Sequence, residues 1–114
     1  MSNNMNKVII QGNLTKDPEC KDVGDTRLCK LLLASNRKYK EKDETCFVGC
    51  QCWGGLNKVV EAYLVKGSPI LIEGRLKLES WESKEGESRH RHVVVVDNLV
   101  MLPNGDRKNK ESRE

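Results

Sequence analysis

Two ligand-type pairs stand out by spacing: Cys50 and Cys52 in CFVGCQCW (46–53), and His90 and His92 in RHRH (89–92). Residues two apart on a strand share a face, so two adjoining strands could close a Cys₂His₂ tetrahedron. Structural zinc sites, however, favour C-x₂₋₄-C and H-x₃₋₅-H spacings, and both pairs here enclose a single residue. An unligated thiol packs as a small hydrophobe, so Cys50 and Cys52 read as core filler, with no metal and no cofactor expected. Catalytic sets are missing too. No Ser/His/Asp or paired-carboxylate arrangement can be assembled, and no glycine-rich phosphate loop is present, so enzymatic activity is not expected.

The aromatic residues carry a different chemistry. The chain holds only two Trp, two Tyr and one Phe. Alternation along CFVGCQCW sends Phe47, Gly49, Gln51 and Trp53 to the side opposite Cys46, Val48, Cys50 and Cys52. Along ILIEGRLKLESW, Ile70, Ile72, Gly74, Leu76 and Leu78 face inward, and Glu73, Arg75, Lys77, Glu79 and Trp81 face outward. Arg37, Lys38 and Tyr39 close another apolar segment. Four of five aromatics thus fall on outer faces or strand ends, interleaved with cations. A chain this poor in rings would bury them if they built the core. Displayed beside Lys and Arg, they suit unpaired bases: every base has a π-face, stacking is worth roughly 1–3 kcal/mol per base, and cations follow the phosphates.

The elements that position these residues are short and regular. Residues 7–14 alternate as a half-buried strand, with Gly12 a candidate bulge. KDPE and GDT read as turns. Residues 28–39 form a second strand, apolar on both faces in its middle, and CFVGCQCW forms the third. In GGLNKVVEAYLVKGS the period changes, with Leu56, Val59, Val60, Tyr63 and Leu64 on one helical stripe of about three turns. Gly67 and Pro69 stop it. The fourth strand follows, kinked at Gly74. A hairpin tip at Gly86 leads into the last strand, RHRHVVVVDNLVML, rich in β-branched residues. The order β-β-β-α-β-β, with the helix between strands three and four and glycines at the bends, predicts an all-β, five-stranded Greek-key barrel, the OB-fold.

At 114 residues the chain is one domain: a barrel over 1–102 and a short polar tail over 103–114, expected to be disordered. The net charge of +3 and a pI of about 8.6 fall short of a strongly basic nucleic-acid domain, so placement of charge matters more than its total. No apolar run reaches the roughly 20 residues of a membrane span, and MSNNMNK leads no secretory segment. Five cysteines without regular spacing suggest reduced thiols and a cytoplasmic setting.

From NKVIIQGNLTKDPE (6–19) through LASNRKYKEKDE, GGLNKVVEAYLVKGS and IEGRLKLESWESKEG to VVVVDNLVML, the chain resembles the bacterial and phage single-stranded DNA-binding protein family. The likeness covers about residues 6–102. It implies an OB-fold that wraps single-stranded DNA with little sequence dependence in replication, recombination and repair. It also implies a homo-oligomer, usually a tetramer, with a dimer as the smaller alternative. The family's stacking positions fall on Tyr39, Phe47, Trp53 and Trp81. Its backbone-contacting positions fall on Lys7, Lys66 and Lys77, with Arg37, Lys38, Gln51 and Arg75 on the same surfaces. Gly49 and Gly55 stand where relatives often carry a basic residue, and Val48 where a polar interface residue is common. The chain ends in NKESRE rather than an acidic, Phe-ending tail, so tail-mediated replication partners are not assumed. A phage, plasmid or accessory member in a bacterial host fits these departures. The alternative role is a primosome-type adaptor in which protein contacts dominate.

Overall fold

The computed structural model describes residues 3–103. Six strands and one helix follow in the order β1 (Val8–Leu14), β2 (Glu19–Val23), β3 (Thr26–Tyr39), β4 (Lys42–Trp53), α1 (Leu56–Tyr63), β5 (Pro69–Glu82) and β6 (Ser88–Met101). β1 pairs with β5 on one side and, through Asn13–Leu14, with β3 on the other. β5 pairs with β6, β6 runs parallel to β4, and β4 returns to β3. The ring β1–β5–β6–β4–β3 is therefore closed, the five-stranded OB barrel that the sequence predicted.

β2 is the exception. The residues between the two turns form a strand that hangs on the first half of β3. With it in the count, α1 lies between the fourth and fifth strands rather than the third and fourth. ECKDV has no alternation of its own and is held as a strand by its partner. Its pairing also seats Cys20 opposite Cys29, and the two are joined as a disulfide with Cα atoms 4.0 Å apart. Five reduced thiols were expected; three remain free, Cys46, Cys50 and Cys52.

The core is built from the inward residues of every barrel strand, among them Leu14, Leu31, Leu33, Cys50, Cys52, Ile70, Ile72, Val94 and Val96. Cys50 and Cys52 are core filler as expected, while Cys46 is exposed. α1 is shorter than its stripe suggested, about two turns. Val60 and the following Leu64 enter the core, whereas Tyr63 is half exposed because the helix ends on it. Asn57 Nδ2 donates to the Arg27 carbonyl at 2.5 Å, and Arg27 grips Glu61 through Nε and Nη2 and Asp22 through Nη1.

Two glycines are required by backbone contact. A Cβ on Gly12 would stand 2.3 Å from the Ala34 carbonyl oxygen, and one on Gly74 would stand 2.1 Å from that of Val95. Gly74 marks the expected kink: the β5–β6 register shifts between Glu73 and Gly74, leaving Asp97 as the extra residue of β6. Gly12 is not a bulge; its register is unbroken, and it marks where β1 passes from β5 to β3.

Past Gly74, β5 and β6 continue beyond the barrel wall as a two-stranded arm turning at Ser83–Glu87. Leu76 and Leu78, expected to face the core, are therefore 44% and 52% exposed.

Candidate nucleic-acid interface

Residues paired across neighbouring strands share a face, so the register decides which side chains meet. Phe47, Gly49, Gln51 and Trp53 of β4 lie opposite Ala34, Leu32, Lys30 and Leu28 of β3. Gln51 also pairs with Val95 of β6. On that same face Arg75 lies opposite Val95, Lys77 opposite Val93, Glu79 opposite Arg91 and Trp81 opposite Arg89. One outer surface therefore runs unbroken across β3, β4, β6 and β5. Its floor is apolar and low at the centre, where Gly49 has no side chain beside the buried Val93.

Three of the four expected stacking rings stand on this surface. Phe47 is 64% exposed, Trp81 48%, and Trp53 is half-buried at the end of β4. Arg91 lies over the Trp81 ring, 5.4 Å from its centroid, so that ring is already presented to a cation. Lys77 and Lys38 point to the same face, and among the described residues neither has a carboxylate within ion-pair distance. Arg75 sits 3.6 Å from Asp97 in an exposed pair, which is weak in water.

The remaining expected residues are placed elsewhere. Arg37 and Tyr39 are exposed, but alternation puts them on the far side of the β3–β4 ribbon from Phe47. Lys7 is tied to Glu73 at 2.6 Å beside the Gly74 corner, and the partner's hydrogen bond and charge raise its pKa. Lys66 is at the other end of β1, where its backbone N–H donates to Asp17 and the adjoining Gly67 N–H to Leu14.

Gln51 departs most from expectation. It lies on the predicted face but is only 3% exposed, its Nε2 donating to Glu79 Oε2. Glu79 Oε1 in turn accepts from Arg91 Nε at 3.2 Å. Burial pushes the Glu79 carboxyl up, yet the hydrogen bonds from Gln51 and Arg91, with the Arg91 charge, hold it below the usual carboxylate range. A chain of three polar groups thus crosses the groove from β4 to β6. Lys16, Lys30 and Arg91, which line the groove beside Gly49 and Gln51, were not among the residues singled out in the sequence. The alternation of RHRH, counted back from the Gly86 turn to Trp81, is the signal that places Arg91 there.

Metal chemistry finds no support in the ligand-type pairs of the sequence. Cys50 and Cys52 are sealed in the core, and burial pushes both thiols up to about 12, while His90 and His92 are exposed on the arm. Among the described residues the one close grouping of three such groups is Cys20, Cys29 and Glu61, whose two sulfurs are already bonded to each other. No helix among the described residues is long and apolar enough to cross a membrane.

Comparison with known proteins bears on the family and the fold. Residues 5–102 match the model of the single-strand binding protein family. A single-stranded DNA-binding protein of Helicobacter hepaticus is 44% identical over 110 residues, spanning 89% of this chain and 65% of its own length. That of Wolinella succinogenes is also 44% identical, spanning 85% of this chain and 64% of its own. The chain thus spans just under two thirds of these relatives. Among solved structures, a Plasmodium falciparum SSB in complex with ssDNA superposes with a TM-score of 0.83 at 17% identity, over 90% of this chain and 99% of that one.

Proposed function

The chain belongs to the single-strand binding protein family, and from that premise we propose that it is a non-catalytic binder of single-stranded DNA. Bases stack on Phe47, Trp53 and Trp81 while Lys38, Arg75, Lys77 and Arg91 follow the phosphates. The observation that carries this reading is the one continuous face that bears Phe47 and Trp81 exposed and Trp53 half-buried beside Lys38 and Lys77, which have no carboxylate in ion-pair distance among the described residues. Tyr39 and Arg37, on the far side of the β3–β4 ribbon, are reached by a strand that passes over the ribbon's end. Lys7 and Lys66, at opposite ends of β1, would engage a longer strand that wraps the barrel. Gln51 acts from beneath the groove rather than as an exposed contact.

Titration of Trp fluorescence with oligo-dT tests this. Quenching with an affinity that falls as salt rises is expected, since phosphate contact releases counterions. Duplex of equal length should bind far more weakly, because its bases cannot reach the rings; equal duplex binding would refute the proposal.

Ile9, Leu76, Leu78 and Val100 are exposed apolar residues outside this face. They support a homo-oligomer, a tetramer or else a dimer, which native mass measurement would read directly. The cellular setting that follows is protection of single strands in replication, recombination and repair, in the bacterial cytoplasm.

A further inference from the structure

Glu79 is an acid on the face proposed to follow phosphates, where a bare carboxylate would repel them. It is not bare. Only 27% of its side chain is exposed, and both oxygens are engaged: Oε2 accepts from Gln51 Nε2, and Oε1 from Arg91 Nε at 3.2 Å. The two donors differ in kind. Gln51 is buried in the barrel wall, its strand paired at Lys30 on one side and at Val95 on the other. The Arg91 side chain is 55% exposed on the arm, directly opposite Glu79 and diagonal to Trp81.

Diagonal neighbours lie within reach of a long side chain, and the Arg91 guanidinium stands over the Trp81 ring, 5.4 Å from its centroid. Nε is the nitrogen spent on Glu79; among the described residues, Arg91 Nη1 and Nη2 donate to nothing. The carboxylate thus restrains the guanidinium and leaves its outer nitrogens for a ligand. Lys77, Glu79, Trp81 and Arg91 line a single open hollow, so ring, cation and carboxylate border one space.

We propose that Glu79 is a positioning residue for single-strand binding: anchored through Gln51 to the wall, it holds Arg91 against Trp81, so that ring and guanidinium engage one nucleotide from set positions. The inference rests on the single-strand-binding reading above. The carboxylate then helps binding although its charge opposes the phosphates, and that reversal of sign is what an experiment can read.

Equilibrium titration of the full chain with oligo-dT tests it. Glu79→Gln removes a negative charge with little change of shape, so charge repulsion alone would make this variant bind more tightly. It also offers one acceptor oxygen where two donors converge, and Arg91 is released. Positioning therefore gives about fivefold weaker binding, the lower end of what one stacked base contributes. Arg91→Lys, at an exposed position, keeps the net charge but gives up Nε and the flat guanidinium, and should weaken binding by a similar factor. In the double variant the two losses should not add, because both act through the Arg91–Trp81 contact. Trp81 emission, read alone in a Trp53→Phe background, should move with Glu79→Gln and move no further when Arg91→Lys is added. Equal or tighter binding by either single variant, losses that multiply in the double variant, or unmoved Trp81 emission overturns the proposal. Wild type that fails to bind oligo-dT would instead refute single-strand binding itself.

Discussion

Phe47→Ala separates a ring that binds from a ring that holds the fold. Phe47 is 64% exposed, so only about a third of it is shielded from water. Full burial of a Phe side chain is worth about 1.5–3 kcal/mol, which puts the folding loss on truncation at about 0.5–1 kcal/mol. Loss of one stacked base removes roughly 1–3 kcal/mol from binding, a weakening of about 5- to 150-fold. The two losses are read by urea denaturation and by titration with oligo-dT, and both reporter tryptophans remain in the variant. The reasoning is refuted if stability falls by more than about 2 kcal/mol while affinity holds. That outcome would mean that the ring is sealed against protein, for instance between protomers.

Gly49→Arg should tighten binding and steepen the log affinity–log salt slope by about 0.7, the value of one added phosphate contact on a single strand; an unchanged slope would show that no phosphate passes over Gly49. Gly74→Ala should destabilise the fold by about 3 kcal/mol in urea, because its Cβ meets the Val95 backbone rather than a movable side chain. A thiol reagent at pH 8 should label Cys46 in the folded protein and reach Cys50 and Cys52 only after denaturation. Burial raises both of these thiols to about 12 from an ordinary 9.0, so their contribution to stability is complete below pH 9 and is lost as pH climbs toward 12. Reduction of Cys20–Cys29, which closes a loop of sequence separation 9, should lower stability by up to about 2.5 kcal/mol; no change in the urea midpoint would show that strand pairing alone holds β2.

The barrel was legible because its strands keep the period of two. Ile70 and Ile72 face the core, Phe47 and Trp53 the other side, and the helical stripe ends near Gly67. What escaped depends on register, which only a partner strand supplies. ECKDV is polar and becomes a strand through β3, so neither β2 nor the Cys20–Cys29 pairing could be read from it. Leu76 and Leu78 follow the inward alternation, but nothing in the pattern says that the barrel ends before them. The same limit explains Gln51: alternation gives its side of the sheet correctly, while its burial comes from Glu79, 28 residues away, and from Arg91 beyond it. Tyr39 and Phe47 look alike in the sequence, and only the unbroken β3–β4 register separates their faces.

The arm bearing Trp81 has consequences for how a bound strand is held. A two-stranded ribbon without a covering layer is marginally stable alone, so its amides from Ser80 to Arg89 should exchange with solvent long before those of Val93–Val96, which are locked in the wall. On the proposed reading, Phe47 and Trp53 would stand as fixed anvils and Trp81 as a yielding finger. Such a clasp would tolerate irregular spacing between successive nucleotides.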